Sequence, residues 1–175
     1  TIRKKIAQFM VENTLPIIDP DTCLPVVEEK NQQDFEKFSE LNKISTSRRI
    51  SHDEKLRLIS VPDFETVELF VRKVMHYCVV APEVIIHAQI LLCRFLQKTG
   101  WKLRSTNWRP LLLISIRIAQ KYEECSVLVV KDLTLIYGLL DPEEYLDLES
   151  RFLQLLDYDC FIKYEQFFRR LRCLK

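Results

Sequence analysis

The chain has 175 residues, enough for one domain with an extension, and its 26 lysines and arginines nearly balance 25 aspartates and glutamates, giving a net charge of +1. This balance argues against a dedicated nucleic-acid-binding module, which normally carries a clear basic excess. Hydrophobic residues make up 47% of the chain and charged residues 29%, as in folded proteins, while two glycines are too few for the tight turns of an all-β sandwich. The composition therefore favours an all-α fold.

The first sixty residues predict a short helix followed by a linker. Helical spacing of apolar residues predicts the helix within residues 2–11. Three prolines then exclude a regular element; they are Pro16, Pro20 and Pro25. From residue 28 to residue 57 acids and bases are interleaved, which predicts an exposed linker. Four apolar residues in this segment have helical spacing and allow one short amphipathic helix; they are Phe35, Phe38, Leu41 and Ile44.

Strong helix signals begin after residue 60. Asp63 can cap a first helix whose apolar side extends to Cys78. Pro82 opens a second helix, which ends at Gly100, a residue that readily takes the left-handed conformation of a helix end. Asn107 is expected to cap a third helix, and its nearly uninterrupted apolar sequence is typical of a central helix surrounded by others.

Three further helices are predicted towards the carboxyl end. The fourth covers residues 130–140 and is interrupted by Gly138, and the fifth starts at Asp141 and Pro142, with acids in its first turn. A last helix is expected from Tyr164 onwards. We therefore predict an all-α fold with an N-terminal extension over 1–60, a compact five-helix domain over 61–160 and a C-terminal helix over 161–175.

The six cysteines point to a reducing compartment. Their spacings are long and irregular, with no C-x-x-C pair, so we expect free thiols, buried or half-buried, rather than a disulfide framework or a zinc site. They are Cys23, Cys78, Cys93, Cys125, Cys160 and Cys173. No apolar stretch reaches the roughly 18–20 residues that span a bilayer. We expect an intracellular location, cytoplasmic and/or nuclear, with membrane recruitment only if a preceding segment is lipidated.

Catalysis has little support in the sequence. A cysteine–histidine nucleophile would need Cys78 or Cys93 beside a histidine, but His76 and Cys78 point away from each other on one helix, and His87 has the surroundings of a core histidine. No glycine-rich phosphate loop, H-E-x-x-H or G-x-S-x-G motif is present. We therefore predict no catalytic residue, no metal, no cofactor and no small-molecule substrate.

Two stretches resemble a known family. Residues 107–111 (Asn-Trp-Arg-Pro-Leu) leading into 118–124 resemble the third helix of a cyclin box, and residues 148–159 resemble its fifth helix. The asparagine-tryptophan-arginine opening and the helix after Tyr164 are similar to the single-box group of cyclin Y and the phosphate-response cyclins. The resemblance covers about residues 61–160, and no second box follows in the chain.

This resemblance implies a non-catalytic subunit that binds a cyclin-dependent protein kinase as a heterodimer. It would activate the kinase by holding the kinase C helix in its active position, and it implies a role in the cell cycle. Lys121 and Glu149 match the family's lysine and glutamate that meet the kinase C helix and the loop before it. Aromatic and aliphatic residues of the same face would complete the contact; they are Tyr122, Leu153 and Tyr158.

The sequence departs from the family at two places. Lys73 and Cys93 stand where many cyclins bury an arginine–aspartate pair, and residues 70–74 lack the substrate-docking motif of cell-cycle cyclins. Arg117, inside an otherwise apolar helix, has no assigned counterpart. Two alternatives therefore stay open: a cyclin-fold scaffold without kinase activation, and a helical nucleic-acid-binding module like the general transcription factors of the B family.

One modification site is also predicted. Residues 48–51 (Arg-Arg-Ile-Ser) have the pattern of a basophilic-kinase site, so phosphorylation is expected at Ser51.

Overall fold

A computed structural model describes residues 2–15, 36–39, 43–44, 50–123 and 130–173. The helices in these ranges are α1 (Ile2–Asn13), α2 (His52–Ile59), α3 (Phe64–Tyr77), α4 (Pro82–Thr99), α5 (Trp108–Glu123), α6 (Val130–Ile136), α7 (Pro142–Leu155) and α8 (Tyr164–Cys173). Two short strands, β1 (Thr14–Leu15) and β2 (Leu103–Arg104), pair in parallel. The all-α prediction is confirmed.

The local signals in the sequence place most helix ends correctly. The Asp63 carboxylate accepts the Thr66 backbone N–H at 2.8 Å at the start of α3. Asp141 and Glu144 form a reciprocal capping box at the start of α7. Gly100 has a φ of 75° and closes α4 by donating its N–H to the Leu96 carbonyl. These three helix boundaries are decided by neighbouring residues.

The central helix is α5, as predicted. Each residue from Trp108 to Gln120 is buried. The neighbouring helices α4 and α7 meet through Phe95 and Phe152, whose rings stack at 4.2 Å with an interplanar angle of 6°. Burying each such large side chain stabilises the fold by roughly 1.5–3 kcal/mol, so this stack contributes to holding α4 against α7.

The short amphipathic helix allowed by Phe38 and Ile44 agrees with the structure at the positions described, because residues 36–38 and 43–44 are helical. Phe38 and Ile44 are buried, and the Phe38 ring lies 5.9 Å from Phe95 and 5.7 Å from Trp101. Helix α2 was not predicted, since residues 52–57 lie in the segment expected to be an exposed linker, and none of its residues is buried. Its start is fixed by Ser51, whose hydroxyl accepts the Glu54 N–H at 3.2 Å.

Two further predictions need correction. Asn107 does not cap α5 with its side chain; its Oδ1 accepts the Arg104 N–H at 2.7 Å, and its Nδ2 donates to the Lys102 carbonyl. The side chain thus stabilises the turn before the helix. Helix α6 ends at Ile136, earlier than expected.

Several residues named in the predictions lie outside the described ranges, namely Pro16, Pro20, Pro25, Phe35, Leu41, Arg48, Arg49, Cys23 and Cys125.

Candidate functional site

Lys121 and Glu149 are in direct contact. Glu149 on α7 is buried, and one of its carboxylate oxygens accepts a hydrogen bond from the Lys121 ammonium on α5. The other oxygen accepts from Arg117 Nε at 2.8 Å. Arg117 and Lys121 are four residues apart and therefore lie on one face of α5. The structure thus joins the two residues of the predicted site through a three-residue ion cluster.

The two cations of this cluster differ in their exposure to solvent. Arg117 is buried, whereas the Lys121 side chain is 40% exposed. A buried carboxylate is tolerated only when it is paired and hydrogen-bonded, and Arg117 fulfils this requirement from within the fold. Lys121 is left at the rim, where its ammonium can also reach acceptors of another molecule. Glu149 acts within the chain by positioning Lys121.

Tyr122 lies beside a buried histidine. Its exposed ring contacts His87 edge-on at a centroid distance of 5.2 Å. The two ring nitrogens of His87 lie 2.6 Å from a Glu123 carboxylate oxygen and 3.3 Å from the Cys160 carbonyl oxygen. The expectation that His87 is a core histidine with satisfied nitrogens is confirmed. His87 connects the end of α5 to the segment that follows α7.

Leu153 and Tyr158 form the third part of the surface. Leu153 is half-buried against the core, one turn beyond Glu149 on α7, and its carbonyl accepts the Tyr158 N–H at 2.8 Å. Tyr158 has a φ of 57° and is 66% exposed. A left-handed backbone costs a non-glycine residue roughly 1–2 kcal/mol, so this turn holds an aromatic side chain in solvent at the expense of stability.

Two basic side chains of α4 hold this turn in place. Lys98 donates to the Leu156 carbonyl at 2.9 Å and pairs with Asp157 at 2.6 Å. Arg94, one turn earlier, donates to the Asp159 carbonyl at 2.6 Å and to the Phe161 carbonyl at 3.0 Å. Neither residue was predicted to act here, although their i,i+4 spacing places both on one face of α4 and is a usable signal for a shared role.

The contacts join Lys121 to Glu149 and Leu153 to Tyr158, and we call the five predicted residues together the Lys121 face. It consists of Lys121, Tyr122, Glu149, Leu153 and Tyr158. Arg117 had no assigned role in the sequence, and the structure makes it the internal partner of Glu149. Only the packing of α5 against α7 brings these two charges together.

The remaining sequence signals lie elsewhere. Ser51 is exposed and caps α2, while the arginines that precede it lie outside the described residues. Cys93 does not pair with Lys73; its sulfur lies 4.0 Å from an Arg170 guanidinium nitrogen of α8, and Lys73 is exposed.

The thiols near the histidines are poorly suited to nucleophilic chemistry. Burial raises the pKa of the Cys78 thiol to about 11, and burial also raises the pKa of Cys93 and of Cys160. A catalytic cysteine needs the opposite shift, because the thiolate is the nucleophile. These three cysteines are free thiols, as predicted.

Within the described ranges, no three histidine, cysteine, aspartate or glutamate side chains are grouped as a metal site requires. None of the helices described there is long and apolar enough to cross a membrane.

Comparison with protein families gives one clear result. The family "Cyclin, N-terminal domain" matches residues 31–160, about three quarters of the chain. No significant match was found among curated proteins or among solved structures. The matched region contains helices α2 to α7 and the whole Lys121 face. The chain therefore belongs to the cyclin family, whose members are regulatory, generally non-catalytic proteins that act through protein partners, typically kinases.

Proposed function

We propose that this cyclin binds a cyclin-dependent protein kinase through the Lys121 face and activates it by holding the kinase C helix in its inward position. The observation that carries the proposal is the ion cluster of Arg117, Glu149 and Lys121, which places a half-exposed ammonium at a fixed position. The aromatic rings of Tyr122 and Tyr158 are both exposed. Exposed tyrosines beside a positioned charge have the composition of a protein-binding hot spot.

The mechanism follows from what a kinase needs. ATP is positioned only when the kinase's strand lysine pairs with its C-helix glutamate. A rigid partner that binds only the inward helix shifts the population by its differential affinity for the two states. In this mechanism Lys121 donates to carbonyl groups at one end of the kinase helix. The tyrosines supply apolar contact, and Glu149 keeps Lys121 in place.

We further propose membership of the single-box group of cyclin Y and the phosphate-response cyclins. The asparagine-tryptophan-arginine sequence at the start of α5 supports this proposal, because its residues make the contacts that hold the N-terminal side of the box together. Trp108 is fully buried, and Arg109 lies over its ring at 4.6 Å while donating to the Leu58 carbonyl at 3.2 Å. These contacts attach helix α2 to α5.

The division into an extension over 1–60, a box over 61–160 and a C-terminal helix over 161–175 remains our proposal. In this division the extension packs onto the box, since Ile6, Met10 and Phe38 are part of the core.

Phosphorylation of Ser51 also remains a proposal, supported by its exposed position at the start of α2. Loss of intracellular phosphorylation in Ser51→Ala would test it. An intracellular location, cytoplasmic or nuclear, remains a prediction.

The test is co-purification with a panel of cyclin-dependent kinases, followed by a kinase assay. The informative variant is Lys121→Ala/Tyr122→Ala, because Glu149 keeps Arg117 as its partner and Tyr122 is exposed, so the fold is preserved. We expect kinase affinity to fall about thirtyfold or more, as for hot-spot residues. Leu56→Ala on α2 removes an apolar side chain of similar exposure, 50% against 52% for Tyr122, and is the control, with wild-type affinity expected.

Equal kinase affinity in the double variant and the wild type would contradict the assignment of the Lys121 face. Binding without a rise in kinase activity would support a scaffold and contradict activation. A DNA affinity that falls steeply with salt, with no kinase bound, would favour the nucleic-acid module instead.

A further inference from the structure

A basic groove lies between α1 and α3, outside the Lys121 face. It has a volume of about 490 Å³ and is lined by Arg3, Arg72, Lys73, Met75, His76 and Tyr77. None of these six lining residues is acidic, and three of them are cationic. The volume is within the range of sites that hold a ligand or a peptide side-chain cluster.

A buried carboxylate holds two of the cations in position. Glu68 on α3 is buried and pairs with Arg3 Nε at 3.0 Å and with Arg72 Nη2 at 2.6 Å. The hydrogen bond from Arg72, followed by the charges of Arg3 and Lys4, keeps the pKa of Glu68 below its usual value. Glu68 therefore stays ionised while the outer nitrogens of both guanidinium groups remain available to a ligand.

Lys73 adds a cation that the fold does not use. Its side chain is exposed and forms no ion pair with any residue that the structure describes. The chain thus leaves at the groove a positive charge that no described residue neutralises.

Two exposed apolar side chains lie at the end of α3: Tyr77 lines the groove, and Val79 follows two residues later in the chain. Tyr77 is exposed, and Val79 is 83% exposed with a φ of 50°. Val80 donates its N–H to the Met75 carbonyl at 3.2 Å, so Val79 occupies the helix-end position that normally takes glycine. A β-branched residue is strained in this conformation, so the backbone at Val79 costs stability.

We propose that this groove is a docking site for an acidic peptide segment of a partner protein, whose carboxylates pair with Arg3, Arg72 and Lys73 and whose apolar side chains pack on Tyr77 and Val79. A peptide fits better than a nucleic acid, since the chain carries a net charge of only +1. It also fits better than a membrane, because the cations line a concave groove rather than a protruding face.

The test is fluorescence anisotropy with the full chain and the labelled peptide Glu-Glu-Leu-Glu-Glu-Leu-Glu-Glu. Its neutral counterpart contains glutamine at every glutamate position. We expect the acidic peptide to bind at least about tenfold more tightly at low ionic strength, with the difference shrinking as salt screens the charges. Equal affinity for the two peptides, or no binding of the acidic one, would overturn the proposal.

Two variants locate the site without disturbing the fold. Lys73→Glu should weaken acidic-peptide binding about tenfold or more, whereas Lys163→Glu, the same charge change at an exposed residue before α8, should leave it unchanged. Val79→Gly relieves a strained backbone, so thermal stability should stay equal or rise, while affinity falls about threefold to tenfold. Unchanged affinity in both groove variants would overturn the assignment.

The other occupants are tested in the same assay. The assay is repeated with a thymidine oligonucleotide and with vesicles of phosphatidylserine and phosphatidylcholine. If either bound more tightly than the acidic peptide and lost binding with Lys73→Glu, it would replace the peptide as the ligand. Either outcome would overturn the proposed occupant.

Discussion

Two buried glutamates of this cyclin are each paired with two cations, and they differ in where those cations lie. Glu149 on α7 pairs with Arg117, whose side chain is 6% exposed, and with the half-exposed Lys121. Glu68 on α3 pairs with Arg3 and Arg72, whose side chains are 40% and 52% exposed. The first carboxylate connects two core helices, and the second positions two cations towards solvent.

The difference shows how one arrangement of charges can have two consequences. Where a cation is buried, its loss of hydration makes the carboxylate obligatory for folding. Where the cations stay hydrated, each ion pair adds little to stability, and the cations remain able to bind an anion. The Glu149 cluster should therefore dominate stability, and the Glu68 cluster should dominate the charge of the surface.

The largest effect is expected from Glu149→Leu. The substitution leaves Arg117 buried without its carboxylate, so the free energy of unfolding should fall by about 3–5 kcal/mol in urea denaturation. The control is Arg117→Met/Glu149→Leu, which replaces both charges by apolar groups and should recover most of the loss. A single variant as stable as the double variant would show that the pair is not buried as described.

Lys121→Ala should have a much smaller effect on stability. Arg117 still pairs with Glu149, and the lost ion pair is half-exposed, so the free energy of unfolding should change by at most about 1 kcal/mol. The same urea experiment measures it. A loss as large as that of Glu149→Leu would mean that Lys121, rather than Arg117, neutralises the buried carboxylate.

The smallest effect is expected from Glu68→Gln, which should lower stability slightly at neutral pH and lose its difference from the wild type in acid. The hydrogen bond from Arg72 keeps the pKa of Glu68 below its usual value of 4.5. The ionised carboxylate therefore stabilises the fold above about pH 4.5, and this stabilisation is lost as the pH falls through the lowered pKa. Melting temperatures measured across this window should fall less in Glu68→Gln than in the wild type.

A matched control separates this effect from general acid denaturation. Glu12→Gln removes an exposed glutamate of α1 and should keep the wild-type dependence of melting temperature on pH. Identical profiles for Glu68→Gln and the wild type would contradict the ion pairs at Glu68.

Much of the helix order was predictable because its signals are local. Asp63, Gly100 and Asp141 act on backbone groups within four residues, so the sequence around each is sufficient to place a helix end. Helix α2 was missed for the opposite reason. It buries no side chain, and it is connected to the box by a hydrogen bond from the distant Arg109 to Leu58.

The Lys121 face was predictable only in part. Lys121 and Glu149 were found through resemblance to a family, whereas Arg117 was left without a role. Its partner is 32 residues away, and only the packing of α5 on α7 decides which charges meet. The same holds for Arg94 and Lys98, whose acceptors in the turn after α7 are about 60 residues distant along the chain.

The sequence by itself determined the all-α class, the main helix boundaries and the central position of α5, because composition, caps and apolar periodicity act within a few residues. Only the tertiary structure decided which charges are buried together, which cations remain in solvent, and which helix ends present apolar side chains. Those outcomes depend on distances between helices, and desolvation makes the same charged residue structural in one place and available for binding in another.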